Sequence, residues 1–485
     1  MILRIILYPT KHVSKINRYP LFFNIYKIYM MKTDIKCVHH LTSIVLFFML
    51  AIVSSERVFA KRIIYDAPDK PIQSLFSAKN AKYVINYDHQ FEQTIIIPND
   101  CEIFFDGGSL RGDIKFCNTI LNGKIKLQGS KLKGSIKNKV LYSEGFCYAD
   151  GIHDDADNIN QMLNVCGKLH FKKGNYLMVS KHLAPKVDNV LDDWQIDTHI
   201  GIAKSNVELV GDEAGVTFIT HQPCGIVYIY SPPYKFERTV RNIRIENIKF
   251  SSVNNGKDFW QLKHTIKTVG VNGLMISNCQ FDDFWGDAIC LHSYGDTPST
   301  GERTRNSNVV IKNNYIRGGK HHNNRNGISV VNGVNIRIEN NIIEHTSRSD
   351  MPGAIDVEAN SHVFSIDNIV IKSNIIRNCS GTAGGICINS PKLSAPAYNI
   401  KIIDNHVSGC TTGLAFVVKT DDVTKNYMIK GNIIESDTPP YKFVGNGRSK
   451  NWIFKSNVFK RKTNDRIPGN IKVEGLIVKN NRIND

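Results

Sequence analysis

Short segments in the second half of the chain repeat one pattern of apolar and polar positions. Each segment alternates apolar and polar residues, reaches a polar turn that contains Asn, and then becomes apolar again, as in "NIRIENNII" from Asn335. Alternation with a period of two predicts a β-strand, and the polar break after about four residues predicts a turn. Nine copies occur, spaced 24 to 35 residues apart, and they begin at Asn242, Gly273, Asn308, Asn335, Asn368, Asn399, Asn426, Asn451 and Gly475.

These repeats predict a solenoid of stacked coils. No stretch in this half has helical periodicity of useful length, and none of the short strands can bury its own apolar face. Such strands at regular spacing are stable only when each coil covers its neighbours. One Asn recurs in register within the turns, and stacked Asn side chains can form a ladder of hydrogen bonds. We interpret this set as structural: Asn314, Asn341, Asn374, Asn405, Asn432, Asn457 and Asn481.

The repeats, which cover roughly residues 145–485, resemble the right-handed parallel β-helix of the pectate-lyase-like superfamily. A second motif, "DGIHDDADNINQML" (Asp150–Leu163), is similar to the segment of such proteins in which DGxxDD leads into a short capping helix. Asp154 or Asp155 would then cap that helix and favour its positive end. The predicted fold class is all-β, a right-handed parallel β-helix of about ten or more coils with a short N-terminal capping helix.

Residues 61–145 precede this motif and also contain short alternating strands with Gly turns, such as "EIFFDGGSLRGDIKF". We expect them to form N-terminal β coils or a small β domain. The predicted domains are therefore 1–60, 61–145 and 146–485.

The first 60 residues have the features of an export signal. An apolar run of 15 residues, Leu41–Ser55, follows two lysines, and small Val58 and Ala60 precede a predicted cleavage site near Ala60. The run is short for a membrane span of about 20 residues, although an N-terminal membrane anchor is the alternative. Met30 or Met31 is a natural start, which would leave residues 1–29 untranslated. We expect a protein exported to the periplasm, cell surface or exterior, without a stable membrane span after cleavage.

The charge balance favours an anionic partner. The chain has 61 Lys and Arg against 44 Asp and Glu, a net charge of +17. Eight basic and two acidic residues lie before residue 61, so +11 belongs to the remainder. Such an excess attracts acidic polymers, although a basic surface that serves only solubility is the alternative. Export and the absence of a recognition module argue against nucleic acid.

The cysteines do not indicate a zinc site. The chain has 11, ten of them after the apolar run, without a CxxC pair or Cys/His metal spacing. We expect most to be small buried residues, and we leave disulfide pairing open. Cys379 and Cys410 each follow a ladder Asn by five residues, so they are expected to stack in adjacent coils.

Each coil contains a further strand, upstream of the next repeat. Aligned on a central apolar residue, these strands are centred on Ile289, Ile328, Ile355, Ile386 and Leu414, each preceded by Gly or Ala. The residues two positions later are again apolar, so both sets should point inward and the residues between them outward. The predicted outward pairs are Cys290/His292, Ser329/Val331, Asp356/Glu358, Cys387/Asn389 and Ala415/Val417.

Two acids in one outward pair are unexpected, because acids are poor strand formers and like charges on one face repel each other. With coils about 4.8 Å apart, Asp356 and Glu358 can share a patch with His292 and Arg325. Asp287 precedes the first of these strands and is a third acid. We therefore predict the catalytic set Asp356, Glu358, Asp287, His292 and Arg325.

Residues flanking this patch are predicted to bind substrate. Asn326 and Asn389 lie on the same strands, and aromatic rings such as Trp285 and Tyr294 suit stacking on sugars. His322, in the turn "GGKHHNNRNG", and Lys419 lie beside the expected groove.

The resemblance implies a carbohydrate-active protein whose site lies on one parallel sheet. Polygalacturonase-like hydrolases carry paired Asp motifs, of which "GDAICL" (Gly286–Leu291) is a partial match. Mannuronan C5-epimerases and related lyases carry an Asp-x-His, and here Cys290 stands where that Asp would be.

Three functions follow from these residues. A glycoside hydrolase would use one of Asp356 and Glu358 as the acid and the other as the base or nucleophile, without a cofactor. It would retain the configuration of the sugar if the two carboxyl groups were about 5–5.5 Å apart and invert it if they were about 6.5–9.5 Å apart. A lyase or epimerase on an acidic polysaccharide would use His292 as base or acid and Arg325 to neutralise the uronate, with Ca²⁺ on Asp356 and Glu358. A non-catalytic glycan-binding β-helix is the third. The expected partner is a polysaccharide, and the expected state a monomer.

Overall fold

The structure is a computed structural model that describes residues 61–68, 71–183, 197–212, 214–231, 240–254, 259–294, 297–319, 323–436, 440–461 and 473–484. The predicted signal peptide, its cleavage site and His322 lie outside the described residues. Within them, no helix has the length and apolar character needed to cross a membrane.

The coils form three long sheets, and the order of the strands within each sheet follows the order along the chain. Neighbouring strands are parallel throughout these sheets, except that His182–Leu183 pairs antiparallel with Asp197–Ile202. This is the geometry of a chain that passes through all three sheets once per coil. The prediction of an all-β fold, a right-handed parallel β-helix, is confirmed.

Sheet 1 carries the first strand of each repeat and has thirteen strands. They are Leu141–Tyr142, Lys168–Phe171, Val207–Gly211, Val240–Glu246, Val271–Ser277, Asn306–Lys312, Gly333–Glu339, Ile366–Lys372, Ala397–Ile403, Thr424–Lys430, Ser449–Lys455, Val473–Glu474 and Ile477–Lys479.

Sheet 2 carries the short strand after the Asn turn and has twelve strands. They are Asp150–Asp154, Gly174–Leu177, Val216–Thr220, Lys249–Ser252, Gln280–Asp282, Tyr315–Arg317, Ile342–Glu344, Ile375–Arg377, His406–Cys410, Ile433–Ser436, Val458–Arg461 and Arg482–Asn484.

Sheet 3 carries the strand upstream of the next repeat and has ten strands. They are His182–Leu183, Asp197–Ile202, Gly225–Tyr230, Ile266–Val269, Ile289–Leu291, Ile328–Val330, Gly353–Glu358, Gly384–Ser390, Thr412–Val418 and Tyr441–Val444.

The residues before these sheets form smaller parallel sheets of their own. One contains Ile63–Tyr65, Lys82–Ile85, Ile95–Ile96, Glu102–Phe105, Asp113–Gly123 and Lys131–Ile136, and the other contains Asp88–Gln90 and Ser109–Arg111. The described helices are Ile72–Leu75, Ala156–Val165 and Pro298–Arg303. Residues 62–485 form one compact unit, and the boundary predicted at residue 145 stays a prediction.

The capping helix, Ala156–Val165, lies between Lys131–Ile136 and Asp197–Ile202. The acids before it are structural, because their carboxylates are occupied by backbone N–H groups. Asp154 accepts from the N–H groups of Ala156, Val179 and Ser180 at 2.9–3.0 Å. Asp155 accepts from Tyr148 N at 2.7 Å and Ala149 N at 2.8 Å. The side chain at the start of the helix therefore braces the preceding turn instead of capping the helix, and Asp154 meets the first helical N–H.

The predicted Asn ladder runs through the buried turns between sheets 1 and 2. Asn374 is typical: its Nδ2 donates to Asn405 Oδ1 at 2.9 Å and to Ile338 O at 2.9 Å, and its Oδ1 accepts from the backbone and side chain of Asn341. The same pattern links each pair from Asn314 to Asn481. Each buried amide of the ladder is thus satisfied by the coils beside it, which is the condition for burying polar side chains at low cost.

The interior is filled by inward-facing apolar side chains that stack from coil to coil. Phe171, Phe218, Phe250 and Phe281 follow one another with ring centroids 5.0–5.7 Å apart. Near the other end, Tyr427 and Trp452 stack at 4.4 Å. Because inward and outward positions alternate strictly, the same coils fix which side chains reach the outer faces of the sheets.

Candidate functional site

The strands of sheet 3 pair in the register that the sequence alignment predicts. Ile289, Ile328, Ile355, Ile386 and Leu414 are direct partners from coil to coil. The small residue before each is required by close approach of the next coil: a Cβ on Gly385 would lie 2.2 Å from Gly413 O, and one on Gly413 would lie 2.1 Å from Ile434 Cγ2. The predicted register of sheet 3 is therefore confirmed.

The outer face of sheet 3 is more deeply covered than the sequence suggests. The outward column runs from Lys267 through Cys290, Ser329 and Asp356 to Cys387, and each of these residues is at most 5% exposed. Asp356 and Glu358 lie in outward columns, but Asp356 is only 2% exposed, whereas Glu358 is half-buried. The acid pair thus lies on a largely covered face, with Glu358 as its more accessible member.

Arg325 and Asp287 form a buried ion pair at one edge of this face. Arg325 Nη1 donates to Asp287 Oδ2 at 3.1 Å, and Asn326 N donates to Asp287 Oδ1 at 2.9 Å. His264 Nδ1 lies 3.2 Å from the same carboxylate. Burial raises the pKa of Asp287, but Arg325 and His264 outweigh it and hold that pKa well below its ordinary value. Asp287 is therefore ionised and fully engaged, which makes it a positioning anion and a poor proton donor.

Asp356 and Glu358 have the opposite character. Burial raises the pKa of Asp356 well above its ordinary value, Glu358 raises it further, and Arg325 opposes this. Burial likewise raises the pKa of Glu358, against the opposing effect of Arg325. Glu358 accepts from Asn389 Nδ2 at 2.8 Å, whereas Asp356 Oδ1 is buried without a hydrogen-bond partner. The pair therefore retains a proton that an exposed acid would lose.

Asn326 links these two groups. Its backbone N–H holds Asp287, while its side-chain Nδ2 donates to Ser329 Oγ at 3.0 Å and lies 3.4 Å from Asp356 Oδ2. Its Oδ1 accepts from Gly353 N at 3.3 Å. Asn326 is thus a buried residue that joins two neighbouring coils through its hydrogen bonds.

A second group of polar residues lies on the coils that precede the acids. Lys267 lies over the rings of Tyr228, at 5.2 Å, and Tyr294, at 4.9 Å, and the two hydroxyls are 3.0 Å apart. Burial lowers the pKa of Lys267 to about 8. His292 stacks against Tyr294 at 4.9 Å, and its Nδ1 accepts from Ser293 N at 2.6 Å. Burial and Lys267 lower the pKa of His292 well below its ordinary value, so this imidazole is neutral with its proton on Nε2.

The predicted site residues fall into three groups. Electrostatic interactions join Arg325 to Asp287, Asp356 and Glu358, and His292 adjoins Lys267 on the neighbouring coils. Tyr294 and Trp285 are buried, at 6% and 5% exposure, so they pack within the face instead of offering open rings. The exposed Lys419 follows the strand Thr412–Val418 and has no described contact with the acids.

Sequence reasoning missed His264, Lys267 and Tyr228. All three lie on coils that precede the first strand of the alignment, where the repeat signature is weaker. The register of the strands could have revealed them, because Tyr228, Lys267 and Cys290 are successive partners in one column of sheet 3. Extending the alignment two coils toward the N-terminus would have placed them beside the predicted patch.

The described residues contain one group of metal-ligating type, His264, Asp287 and Cys290, all buried. Its carboxylate is already held by Arg325, and the Cys290 thiol has its pKa raised by burial and by Asp287, which disfavours the thiolate that a metal needs. Around Asp356 and Glu358 the neighbouring positive charge is Arg325. The prediction of Ca²⁺ on these two acids stays a prediction.

No protein-family model and no curated protein matches this sequence. Solved structures with a similar backbone include the tailspike protein gp49 from Acinetobacter baumannii bacteriophage Fri1, a capsular polysaccharide depolymerase, at 13% identity and a TM-score of 0.46. This similarity covers 70% of the present chain and 57% of the tailspike, so the chain spans little more than half the length of that protein.

Two further structures show the range of proteins that share this architecture. The A-module of the Azotobacter vinelandii mannuronan C-5 epimerase AlgE6 has 11% identity and a TM-score of 0.40, over 70% of this chain and 98% of that one. The Streptococcus pneumoniae surface adhesin PfbA has 14% identity and a TM-score of 0.45, over 71% and 91% of the two chains. At these identities the likeness concerns the fold alone, and no reaction is transferred from it.

Proposed function

We propose that this chain is a carbohydrate-active enzyme that hydrolyses glycosidic bonds of a polysaccharide, with Asp356 and Glu358 as its paired carboxyls. The observation that carries the proposal is the state of this pair. Two acids lie in adjacent outward columns of one strand, both with a raised pKa, and one of them has a buried oxygen without a partner. A fold that needed only stability would place Ser, Thr or Asn there.

The pair supplies the two proton positions that hydrolysis requires. Asp356, the more buried acid, holds the proton, and Glu358 is ionised above its raised pKa. During the reaction the Asp356 proton moves to the glycosidic oxygen as the bond from that oxygen to the anomeric carbon breaks. Glu358 takes a proton from the water whose oxygen bonds to the same carbon. The next proton exchange with solvent restores the starting state.

Arg325 and Asp287 set the charge of this site. Arg325 faces three carboxyls and interacts most strongly with Asp287. Arg325 lowers the pKa of both Asp356 and Glu358, whereas Asp287 raises that of Asp356. Because Asp356 is 2% exposed, the sugar reaches it only when neighbouring side chains shift on binding.

The substrate is proposed to lie outside the cytoplasm, in keeping with the predicted signal segment Leu41–Ser55. The protein would then act in the periplasm, at the cell surface or beyond the cell. We expect a monomer, since the three sheets form a continuous core within one chain.

The test is an activity screen with a matched variant. Purified protein is incubated with neutral and uronate-containing polysaccharides, and new reducing ends are measured beside the ultraviolet absorbance of unsaturated sugars. Reducing ends without absorbance support hydrolysis, and Asp356→Asn should remove them. Full activity in Asp356→Asn would refute the carboxylate mechanism, and Asp350→Asn, which alters an exposed acid paired with Arg348, is the control.

A second candidate is a lyase or C5-epimerase acting on an acidic polysaccharide. Two groups favour it as the base: the neutral imidazole of His292, and the neighbouring Lys267, which has a pKa of about 8. Arg325 would be the cation that neutralises a uronate carboxylate. In this reaction the base removes the proton alpha to the carboxylate, and the electron pair either expels the glycosidic oxygen or regains a proton on the opposite face. New ultraviolet absorbance identifies elimination, and incorporation of solvent deuterium identifies epimerisation. If no polysaccharide of the panel gives either signal or new reducing ends, the protein is a glycan-binding protein without catalytic activity.

A further inference from the structure

The outer face of sheet 1 carries a column of like charges in its last coils. The in-register positions along this column are Lys312, Glu339, Lys372, Ile403, Lys430, Lys455 and Lys479. In the earlier coils an acid separates two lysines, so opposite charges lie side by side. In the last three coils lysine follows lysine, and all three side chains are exposed.

This arrangement is unfavourable for the fold alone. Lysines directly opposite each other on strands about 4.8 Å apart repel, and such pairs lower stability. Within the described part of the chain, no acid forms an ion pair with Lys430, Lys455 or Lys479. Elsewhere on the solenoid exposed lysines do have acids beside them, as Lys168 has Glu208 at 2.5 Å. Among the described residues the column is therefore uncompensated, and a bound anion would remove this repulsion.

The same face has a groove beside this column. It has a volume of about 590 Å³ and is lined by Lys401 and by asparagines of the sheet 1 strands, among them Asn368, Asn399, Asn426 and Asn451. These asparagines have a positive φ. Side-chain amides join Asn399, Asn426 and Asn451 from coil to coil, at 2.9 Å between Asn426 and Asn399 and 3.2 Å between Asn451 and Asn426. An amide group offers two N–H donors and an oxygen that can accept twice, so each amide in this row has polar capacity beyond the bonds to its neighbours. A repeating strip of amides thus lies parallel to the strip of lysines.

The far side of the groove is also basic, and the acids Glu474 and Asp367 near it already have partners within the chain. Lys425 and Lys450 are partners in a further column, and Lys425 lies over the ring of Tyr398 at 4.7 Å. Glu474 is paired with Lys450 at 3.0 Å, and Asp367 accepts from Asn399 at 2.6 Å. The net charge across the groove is therefore positive.

We propose that this surface, Lys401, Lys430, Lys455 and Lys479 with the adjacent amides, binds an anionic polysaccharide strand that runs along the solenoid axis. The lysines would neutralise carboxylate or sulfate groups, and the amides would bind sugar hydroxyls. It is a second site, because it lies on sheet 1 and the paired carboxyls lie on sheet 3. An acidic glycan held there would remain near the solenoid while sheet 3 acts on another part of it.

The choice of a glycan over a nucleic acid rests on the proposed function and on the rings of this face. Single-stranded nucleic acids are held by exposed aromatic rings on which bases stack. Here the ring of Tyr398 is covered by Lys425, and Tyr427 and Trp452 are buried. A flat strip of cations and amides suits a chain of hydroxyls and acid groups better than it suits bases.

The experiment measures binding in the Glu358→Gln background, which prevents cleavage during the assay. Polygalacturonate, uncharged dextran and a single-stranded oligonucleotide of matched charge are titrated into the full chain at low and moderate salt. The test variant combines Lys430→Gln, Lys455→Gln and Lys479→Gln. The control combines Lys131→Gln, Lys137→Gln and Lys168→Gln, three exposed lysines that have acids beside them.

We expect polygalacturonate to bind with an affinity that falls as salt rises, and to bind about tenfold more weakly to the test variant than to the control. Dextran should not bind measurably. Equal binding by the two triple variants would overturn the site, and tighter binding of the oligonucleotide than of polygalacturonate would overturn the choice of ligand. Both results are independent of whether Asp356 and Glu358 catalyse hydrolysis, since catalysis is scored by product formation.

Discussion

The Asn ladder and the patch around Asp356 and Arg325 on sheet 3 are both groups of buried polar side chains. They differ in how many of their polar atoms have hydrogen-bond partners. In the ladder, Asn374 has each of its polar groups matched by Asn341, Asn405 or a backbone carbonyl. In the patch, Asp356 Oδ1, Arg325 Nε, His264 Nε2 and Asn389 Oδ1 are buried without partners. A satisfied stack stabilises the coils, whereas an unsatisfied one costs free energy that the remaining core offsets. The comparison separates a structural column from a functional one.

The largest expected effect is on activity. Glu358→Gln removes the accessible carboxylate but keeps its size, so product formation should fall by about 10²–10⁴-fold. The free energy of unfolding should stay nearly unchanged, because the amide can still meet Asn389. Initial rates and urea denaturation measure the two quantities. Glu339→Gln, an acid on the outer face of sheet 1, is the control and should retain full activity.

The second effect concerns the Asn ladder, where a substitution should lower stability and leave activity unchanged. Asn374→Ala removes the acceptor of two buried Asn341 donors and the side-chain donor to Ile338 O and Asn405 Oδ1, so the free energy of unfolding should fall by about 3 kcal/mol. The activity of the protein that remains folded should not change. Denaturant unfolding gives the first value, and the exposed Asn360→Ala provides the comparison. A loss of less than about 0.5 kcal/mol would contradict the importance of the ladder.

The third effect concerns the pH dependence of stability. Asp356 has a folded pKa above its unfolded value of 3.8, so the folded state binds its proton more tightly. Its contribution to stability is therefore complete below pH 3.8 and is lost as the pH rises through the folded pKa. Asp356→Asn removes this loss, and the variant should gain stability relative to the natural protein between acidic and neutral pH. Urea denaturation across that range tests the sign, and parallel curves for the two proteins would contradict it.

The smallest effect tests the lysine column. Lys455→Glu restores alternating charges between Lys430 and Lys479, and should raise the free energy of unfolding by about 0.2–1 kcal/mol at low salt. Lys372→Glu is the matched opposite, since it places a second acid beside Glu339 and should lower stability. High salt should abolish both changes. If the two substitutions shifted stability in the same direction, the repulsion argument for the column would be wrong.

Much of the fold could be read from the sequence because period-two alternation and the recurring Asn are local signals. The same alignment fixed the register of sheet 3, including the inward Ile355 and the outward Asp356. It also contains the lysine column, since Lys430, Lys455 and Lys479 occupy the same position of three successive repeats. These features needed only the assumption that equal repeats stack in register.

The composition of the candidate site could be predicted only in part. The sequence placed Asp287, Arg325, Asp356 and Glu358 together, but it could not show that Arg325 pairs most closely with Asp287. Nor could it show that Trp285 and Tyr294 are buried, because the coils have unequal lengths and their connections determine what covers each strand.

The sequence by itself determined the parallel coils, the Asn ladder and the face on which the two acids lie, since each follows from the alternation of side chains along a strand. Only the tertiary structure decided that the pKa of Asp356 and of Glu358 is raised. That depends on burial and on the nearby charges of Arg325 and Asp287, which come from different coils and meet only when the coils stack. Electrostatics of this kind depends on distance in space, and spacing along the chain does not contain it.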